Sequence, residues 1–178
     1  AGKIPVSFAV PGLAMATLSA HKFHGPKGAG ALWIRSGVRW VSSLVGGGQE
    51  RDRRAGTENT AAIAGLGLAA DLARAEMSAR LEKIRALESQ CLAAVVDAWP
   101  GARLNTFDRA RAPGTLNVFF PRAQGEALLM NLDLSGVAVS LGAACSSGAI
   151  EASHVLKAMG LTQEENYGSL RISISSMN

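Results

Sequence analysis

The sequence predicts a layered α/β fold, and three observations carry that expectation. Short apolar runs with strand character alternate with stretches of helical periodicity along most of the chain. Breakers such as "GPKG" and "WPG" stand between several of the runs. One helical stretch, Ala61 to about Trp99, is too long for a single ordinary helix, so it must break, and a break divides the chain. The break is expected near residues 75–79. It splits the sequence into residues 1–76 and residues 77–178, the second being a smaller α+β unit.

Taken in order, "MATLSAHK" reads as a short buried strand ending in a turn. "GAGALWIR" reads as a second strand after the breaker "GPKG", so the two form a hairpin with Lys22 at the junction. "GGGQERDRRAGTENT" carries three consecutive glycines and dense charge, and is an irregular loop. At its end Thr57 or Asn59 offers a side-chain acceptor to the unpaired amides of a first helical turn. Beyond the break, Met77, Leu81, Ile84, Leu87, Cys91, Leu92 and Val95 recur at three-and-four spacing, an amphipathic stripe. After "WPG" come a strand over "TLNVFF", closed by Pro121, and a helix over "QGEALLMNL". A short strand "VAVS", a small-residue loop "LGAACSSGAIEASH", a helix "VLKAMG" and a final strand "SLRISIS" follow.

Composition narrows the function classes. Hydrophobic residues make up 48% and charged residues 18%, which describes a chain with a core rather than a disordered one. The net charge of +4 comes without a basic stripe and interleaved aromatics, so no nucleic-acid partner is expected. No run approaches the roughly 20 apolar residues of a membrane span, and prolines and glycines interrupt the apolar start too often for a secretory leader. Two cysteines make no disulfide framework and suit a reducing cytoplasm.

The residues that could carry chemistry are few. Lys22 is one of five lysines against thirteen arginines, and it stands between the apolar segments "AMATL" and "AGALWI". A lysine in an apolar setting has its charged form disfavoured, which makes the amine a nucleophile able to form Schiff bases with aldehydes. Ser19 and His21 lie within the same turn and could bind a phosphate; an ordinary strand-end lysine is the competing reading. "GPKGAG" lacks the pattern of a phosphate-binding P-loop and is a turn. His21 and His24 lack a helix and a third ligand, so no metal site is expected. Cys145 sits in "SLGAACSSG" with nothing bulky to bury it, as a nucleophile would, whereas Cys91 lies in an apolar stripe and belongs to a core. Arg171 alternates with Leu170 and Ile172 on the last strand and shares a face with Ser169 and Ser173. A guanidinium held there could take a carboxylate bidentately.

Together these stretches resemble the NifS-like cysteine desulfurases, in the fold-type I, class V aminotransferase group of pyridoxal-phosphate enzymes. "SAHKFHGPKGAGAL", "GGGQERDRRAGTENT", "GTLNVFF", "AACSSGAIEASHVLKAMG" and "SLRISIS" occur in the family's order and cover essentially the whole chain. The resemblance implies the end of a large cofactor domain followed by the small domain. It implies that Lys22 carries pyridoxal 5'-phosphate, that Ser19 and His21 hold its phosphate, and that Thr57 reaches the phosphate of a neighbouring subunit in a homodimer. Cys145 would accept sulfur from L-cysteine as a persulfide and Arg171 would bind the substrate carboxylate. The sulfur would go on to an acceptor such as an iron–sulfur scaffold.

The family's chain is longer. The resemblance puts a ring-stacking histidine and the carboxylate that pairs with the pyridine nitrogen before Ala1, and "SISSMN" lacks a glycine-arginine pair often found beyond it. The expectation is therefore a fragment, a split subunit or part of a longer protein, weak in cofactor binding by itself. Two rivals share the fold: a selenocysteine lyase-like enzyme, and a non-catalytic structural partner.

Overall fold

A computed structural model describes residues 2–106, 111–141 and 152–178. The chain divides into two compact units, Ala1–Ser78 and Ala79–Asn178, and each is described by itself.

In the first unit, β1 (Met15–Ser19) and β2 (Gly30–Ile34) pair antiparallel from Met15 opposite Ile34 to Ser19 opposite Gly30. Between them lies a single 3-10 turn, Ala20–Phe23. The expected hairpin is present, but β1 is not a buried strand: its residues are exposed or half-buried in alternation. The Arg35 guanidinium fastens the preceding segment, donating to the carbonyls of Leu13 (2.6 Å), Phe8 (3.2 Å) and Val10 (2.7 Å). Phe8 stacks on Trp33 with ring centroids 4.9 Å apart. After the loop that holds the short turn α1 (Gln49–Asp52), α2 runs from Thr60 to Ala75. Asn59, not Thr57, is its cap, accepting the Ala62 amide at 3.1 Å. Ala69 and Ala73 are the buried residues of this helix.

A single residue, Glu76, separates α2 from helix α3 (Met77–Ala98), so the helical stretch breaks within the expected window. The second unit is built on a three-stranded antiparallel sheet in the order β3 (Arg103–Leu104), β4 (Thr115–Phe119), β5 (Ser169–Ser173). Leu116, Val118 and Leu170 are essentially inaccessible to solvent. They form one core with Ala102, Phe120 and Ile174, against which Leu87, Cys91 and Val95 of α3 are packed, with Leu128, Leu129 and Leu132 of α4 (Gly125–Leu134). The apolar stripe of α3 thus does what its spacing predicts, with one intruder. Glu88, also on the buried side, accepts the Gly114 amide at 2.7 Å and the Arg111 guanidinium at 2.8 Å through the same oxygen.

Two further elements differ from expectation. "VAVS" is not a ladder strand; only Ser140 bridges, exchanging both backbone bonds with Arg171. A single bridge suffices because the opposite edge of β5 already pairs with β4 along its whole length. The short strand β3 and the helix α6 (Gln163–Tyr167) were not expected: two residues are too few to show alternation, and α6 has only five. The cap of α6 is nonetheless legible as T-x-x-E, and Thr162 and Glu165 do form a reciprocal capping box. The helix α5 (His154–Ala158) falls where "VLKAMG" predicts one.

Candidate active site

The turn between β1 and β2 is set by its glycines. A side-chain carbon at Gly25 would stand 2.8 Å from the Ala20 methyl, and one at Gly30 would stand 2.7 Å from the Leu18 carbonyl oxygen. His24 closes the turn in the left-handed region, φ 69°, with its amide bonded to the Ala20 carbonyl. In a 3-10 turn, residues three apart eclipse one another. Here Ala20 and Phe23 share the inward face and are buried, Ala20 completely. Phe23 lies beside Ala73 of α2, since a side chain on Gly2 would touch both, and Pro26 lies against Gly65 of the same helix. The two residues between, His21 and Lys22, must therefore face outward, and both are exposed.

This outcome corrects one expectation. Lys22 is not held in an apolar setting within this unit; the apolar neighbours in sequence, Ala20 and Phe23, turn away from it. What the turn does is present three groups together. Ser19, just before it, makes no cap bond with its hydroxyl. Among the described residues, neither His21 nor Lys22 forms a side-chain hydrogen bond or ion pair, and no group of three or more histidine, cysteine or acidic side chains could hold a metal. An amine, a hydroxyl and an imidazole, all uncommitted, form a donor set that fits an aldehyde bearing a phosphate.

Thr57 lies elsewhere in the same unit, exposed, its carbonyl accepting from Arg54 at 3.2 Å. The loop around it is tied by Ser42, whose hydroxyl lies within hydrogen-bond reach of the carbonyls of Leu44 (2.9 Å) and Arg53 (2.8 Å) and donates its one proton between them. Gln49 accepts the Gly56 amide at 3.1 Å. Cys145 lies outside the described residues. Cys91 is half-buried beside the second unit's core, and burial pushes its thiol up from the ordinary range.

Arg171 stands in the middle of β5, half-buried, opposite Asn117 of β4. Its alternation with Leu170 and Ile172 is as expected: those two meet the core, while Arg171 shares the other face with Ser169. That face carries a polar network that sequence reasoning missed. Asn105 is buried and donates its side-chain amide to Asn117 Oδ1 (2.6 Å) and Ser169 Oγ (2.8 Å). Ser169 Oγ in turn donates to the Glu165 carbonyl, and the Glu165 carboxylate pairs with Arg103. The available signal was Asn117 itself, the one polar residue inside "LNVFF", at the position that alternation turns away from the core.

The family model for class-V aminotransferases matches residues 1–178, and the chain belongs to that family. Among its relatives, a cysteine desulfurase of Cereibacter sphaeroides is 46% identical over 175 residues, 98% of this chain and 44% of that protein. Cysteine desulfurase 2 of Trichormus variabilis is 44% identical over 174 residues, again 98% of this chain and 44% of the relative. The chain thus spans less than half the length of these relatives. A solved NifS-like protein matches with a TM-score of 0.85 at 37% identity, over 99% of this chain and 45% of that one. SspA in complex with cysteine matches with a TM-score of 0.66 at 31% identity, over 91% and 44%. The fold is the α/β fold of NifS-like enzymes.

Proposed function

We propose that this protein is a cysteine desulfurase that takes sulfur from L-cysteine, leaving L-alanine and a persulfide on Cys145. The observation that carries the reading is the outward turn at Ser19, His21 and Lys22, in a chain more than 40% identical to named desulfurases. Lys22 Nζ binds the aldehyde of pyridoxal 5'-phosphate, and Ser19 and His21 hold its phosphate. The bound group supplies an electron sink for the substrate's carbon framework. Arg171 takes the substrate carboxylate. The Cys145 thiolate attacks the substrate sulfur; the new S–S bond forms as the carbon–sulfur bond breaks, and the electron pair stays on the carbon side. A proton relayed by His21 and by the Lys22 amine, which the substrate amine has displaced, completes alanine.

Thr57 reaches the phosphate of the second subunit in a homodimer. The exposure of Val41 (90%), Leu44 (56%) and Val45 (85%) on the same loop supports a contact there. The persulfide passes to an acceptor protein, such as an iron–sulfur scaffold, in the cytoplasm.

Borohydride reduction and peptide mapping test the assignment: the pyridoxyl label is expected on Lys22, and a label on Lys27 would overturn it. Cys145→Ala should keep the cofactor's absorbance and release no sulfide. A persulfide trapped on Cys91 would reverse the roles of the two thiols.

A further inference from the structure

The polar network on the outer face of the small sheet has a direction, and the direction leaves one side chain aimed with Arg171. A carbonyl oxygen only accepts, so the single proton of the Ser169 hydroxyl is spent on Glu165 O. Ser169 Oγ must then accept from Asn105, which requires the nitrogen of the Asn105 amide on that side. Arg103 enforces the same orientation from the other end, because its guanidinium has donors only and approaches Asn105 Oδ1 at 3.5 Å. With Asn105 fixed, Asn117 must turn its oxygen toward Asn105 Nδ2, 2.6 Å away. The Asn117 nitrogen is what remains, and among the described residues it has no hydrogen-bond partner.

The register says where that nitrogen lies. Phe120 donates its amide to Gly168 O and Ile174 to Gly114 O, so the β4–β5 pairs at even positions of β4 are the hydrogen-bonded ones. Asn117 and Arg171 are therefore a non-hydrogen-bonded pair, the kind whose side chains stand closest on one face, with Cβ atoms about 4.5–5.5 Å apart. The backbone of Arg171 faces the other way, bonded in both directions to Ser140. Both residues are half-buried. An amide with its acceptor consumed and a guanidinium, side by side, form a surface of donors alone. Such a surface fits a carboxylate and repels an amine.

We infer that Asn117 is a second ligand of the substrate carboxylate beside Arg171, and that Asn105 is a positioning residue that keeps the Asn117 nitrogen presented. This rests on the reading that Arg171 binds the carboxylate, and it makes the site select amino acids over their amides and decarboxylated analogues.

Two measurements test it. In the active enzyme, Asn117→Ala should raise KM for L-cysteine about tenfold with kcat within about twofold, the fold-change of one lost charge-assisted hydrogen bond. It should also shrink the preference for L-cysteine over L-cysteinamide. Asn105→Asp should act in the same direction: aspartate cannot donate, so the Asn117 amide flips to donate to it and turns its oxygen to the carboxylate. In the Asn117→Ala background, Asn105→Asp should add nothing to KM, a silence that a merely structural role would not produce. The second readout needs no turnover. Titration of labelled protein with L-alanine should move the Asn117 side-chain amide and Arg171 Nε–H resonances, and L-alaninamide should move neither. Unchanged KM in Asn117→Ala, with KM raised in Arg171→Ala, overturns the role of Asn117 and leaves that of Arg171. Unchanged KM in Arg171→Ala overturns both. If Asn117→Ala fails to fold, Asn117→Ser and the titration decide in its place.

Discussion

The two units reach order by different means. In Ala1–Ser78 the decisive residues are small: Ala20, Ala69 and Ala73 are buried, Gly25 and Gly30 admit no side chain, and Phe23 is the one large buried residue described there. Long aliphatic residues of the same unit, such as Leu32, Leu68 and Val41, stay exposed. In Ala79–Asn178 the order is reversed: Leu116, Val118, Phe120 and Leu170 fill a core, and the buried polar residues Glu88, Asn105, Asn166 and Ser169 each hold a hydrogen-bond partner. The contrast teaches that the first unit's shape is dictated by where a side chain cannot go, and the second's by what side chains fill. Functional groups follow suit. His21 and Lys22 face out because a tight turn leaves them nowhere else, whereas Arg171 is aligned by a sheet, paired with β4 on one side and bridged to Ser140 on the other.

That contrast can be broken by experiment. The largest effect is expected at Glu88, whose one oxygen serves both Gly114 N–H and Arg111. Glu88→Ala leaves a buried amide and a guanidinium without their acceptor and should cost the second unit about 3–5 kcal/mol. Trp99, which donates to Pro121 O in the same unit, reports that unfolding by fluorescence in a Trp33→Phe, Trp40→Phe background. Leu116→Ala should cost about 2–5 kcal/mol, because a fully buried leucine leaves a cavity. The same truncation at Leu32, 45% exposed, should cost less than about 1 kcal/mol. Equal losses at the two leucines in urea titrations would erase the distinction.

Gly25→Ala sharpens it from the other side. One added methyl, forced against Ala20, should destabilise the turn by about 1–3 kcal/mol. It should also disturb the label on Lys22, whereas Gly67→Ala, which meets nothing, should leave both unchanged. Smaller still is the loss of the cap in Asn59→Ala, about 1 kcal/mol by thermal denaturation.

The smallest expected effect is a pH dependence at Glu165. The Thr162 amide first, then its hydroxyl, and then Arg103 hold this carboxyl below the usual carboxylate range. A depressed folded-state pKa adds stability that is complete above the ordinary value and is lost as pH falls through the lowered one. Denaturation midpoints of the second unit should therefore decline in acid less steeply in Glu165→Gln, which starts lower and has no proton to bind.

Local rules made much of this legible. The hairpin, the break at Glu76, the apolar stripe of α3 and the alternation around Arg171 all follow from spacing, since period and chain punctuation are properties of neighbours in sequence. The family follows from motifs in order, which is also a linear property. Other features depend on residues far apart in the chain. The surroundings of Lys22 were misjudged because apolar neighbours in sequence become opposite faces once a 3-10 turn forms. Glu88 reads as a flaw in an apolar stripe until Arg111 and Gly114 fold over it. Asn105, Asn117 and Ser169 are three ordinary polar residues until strand register stacks them on one face. Donor and acceptor accounting there has a single solution, and only the tertiary structure supplies the partners that enter it.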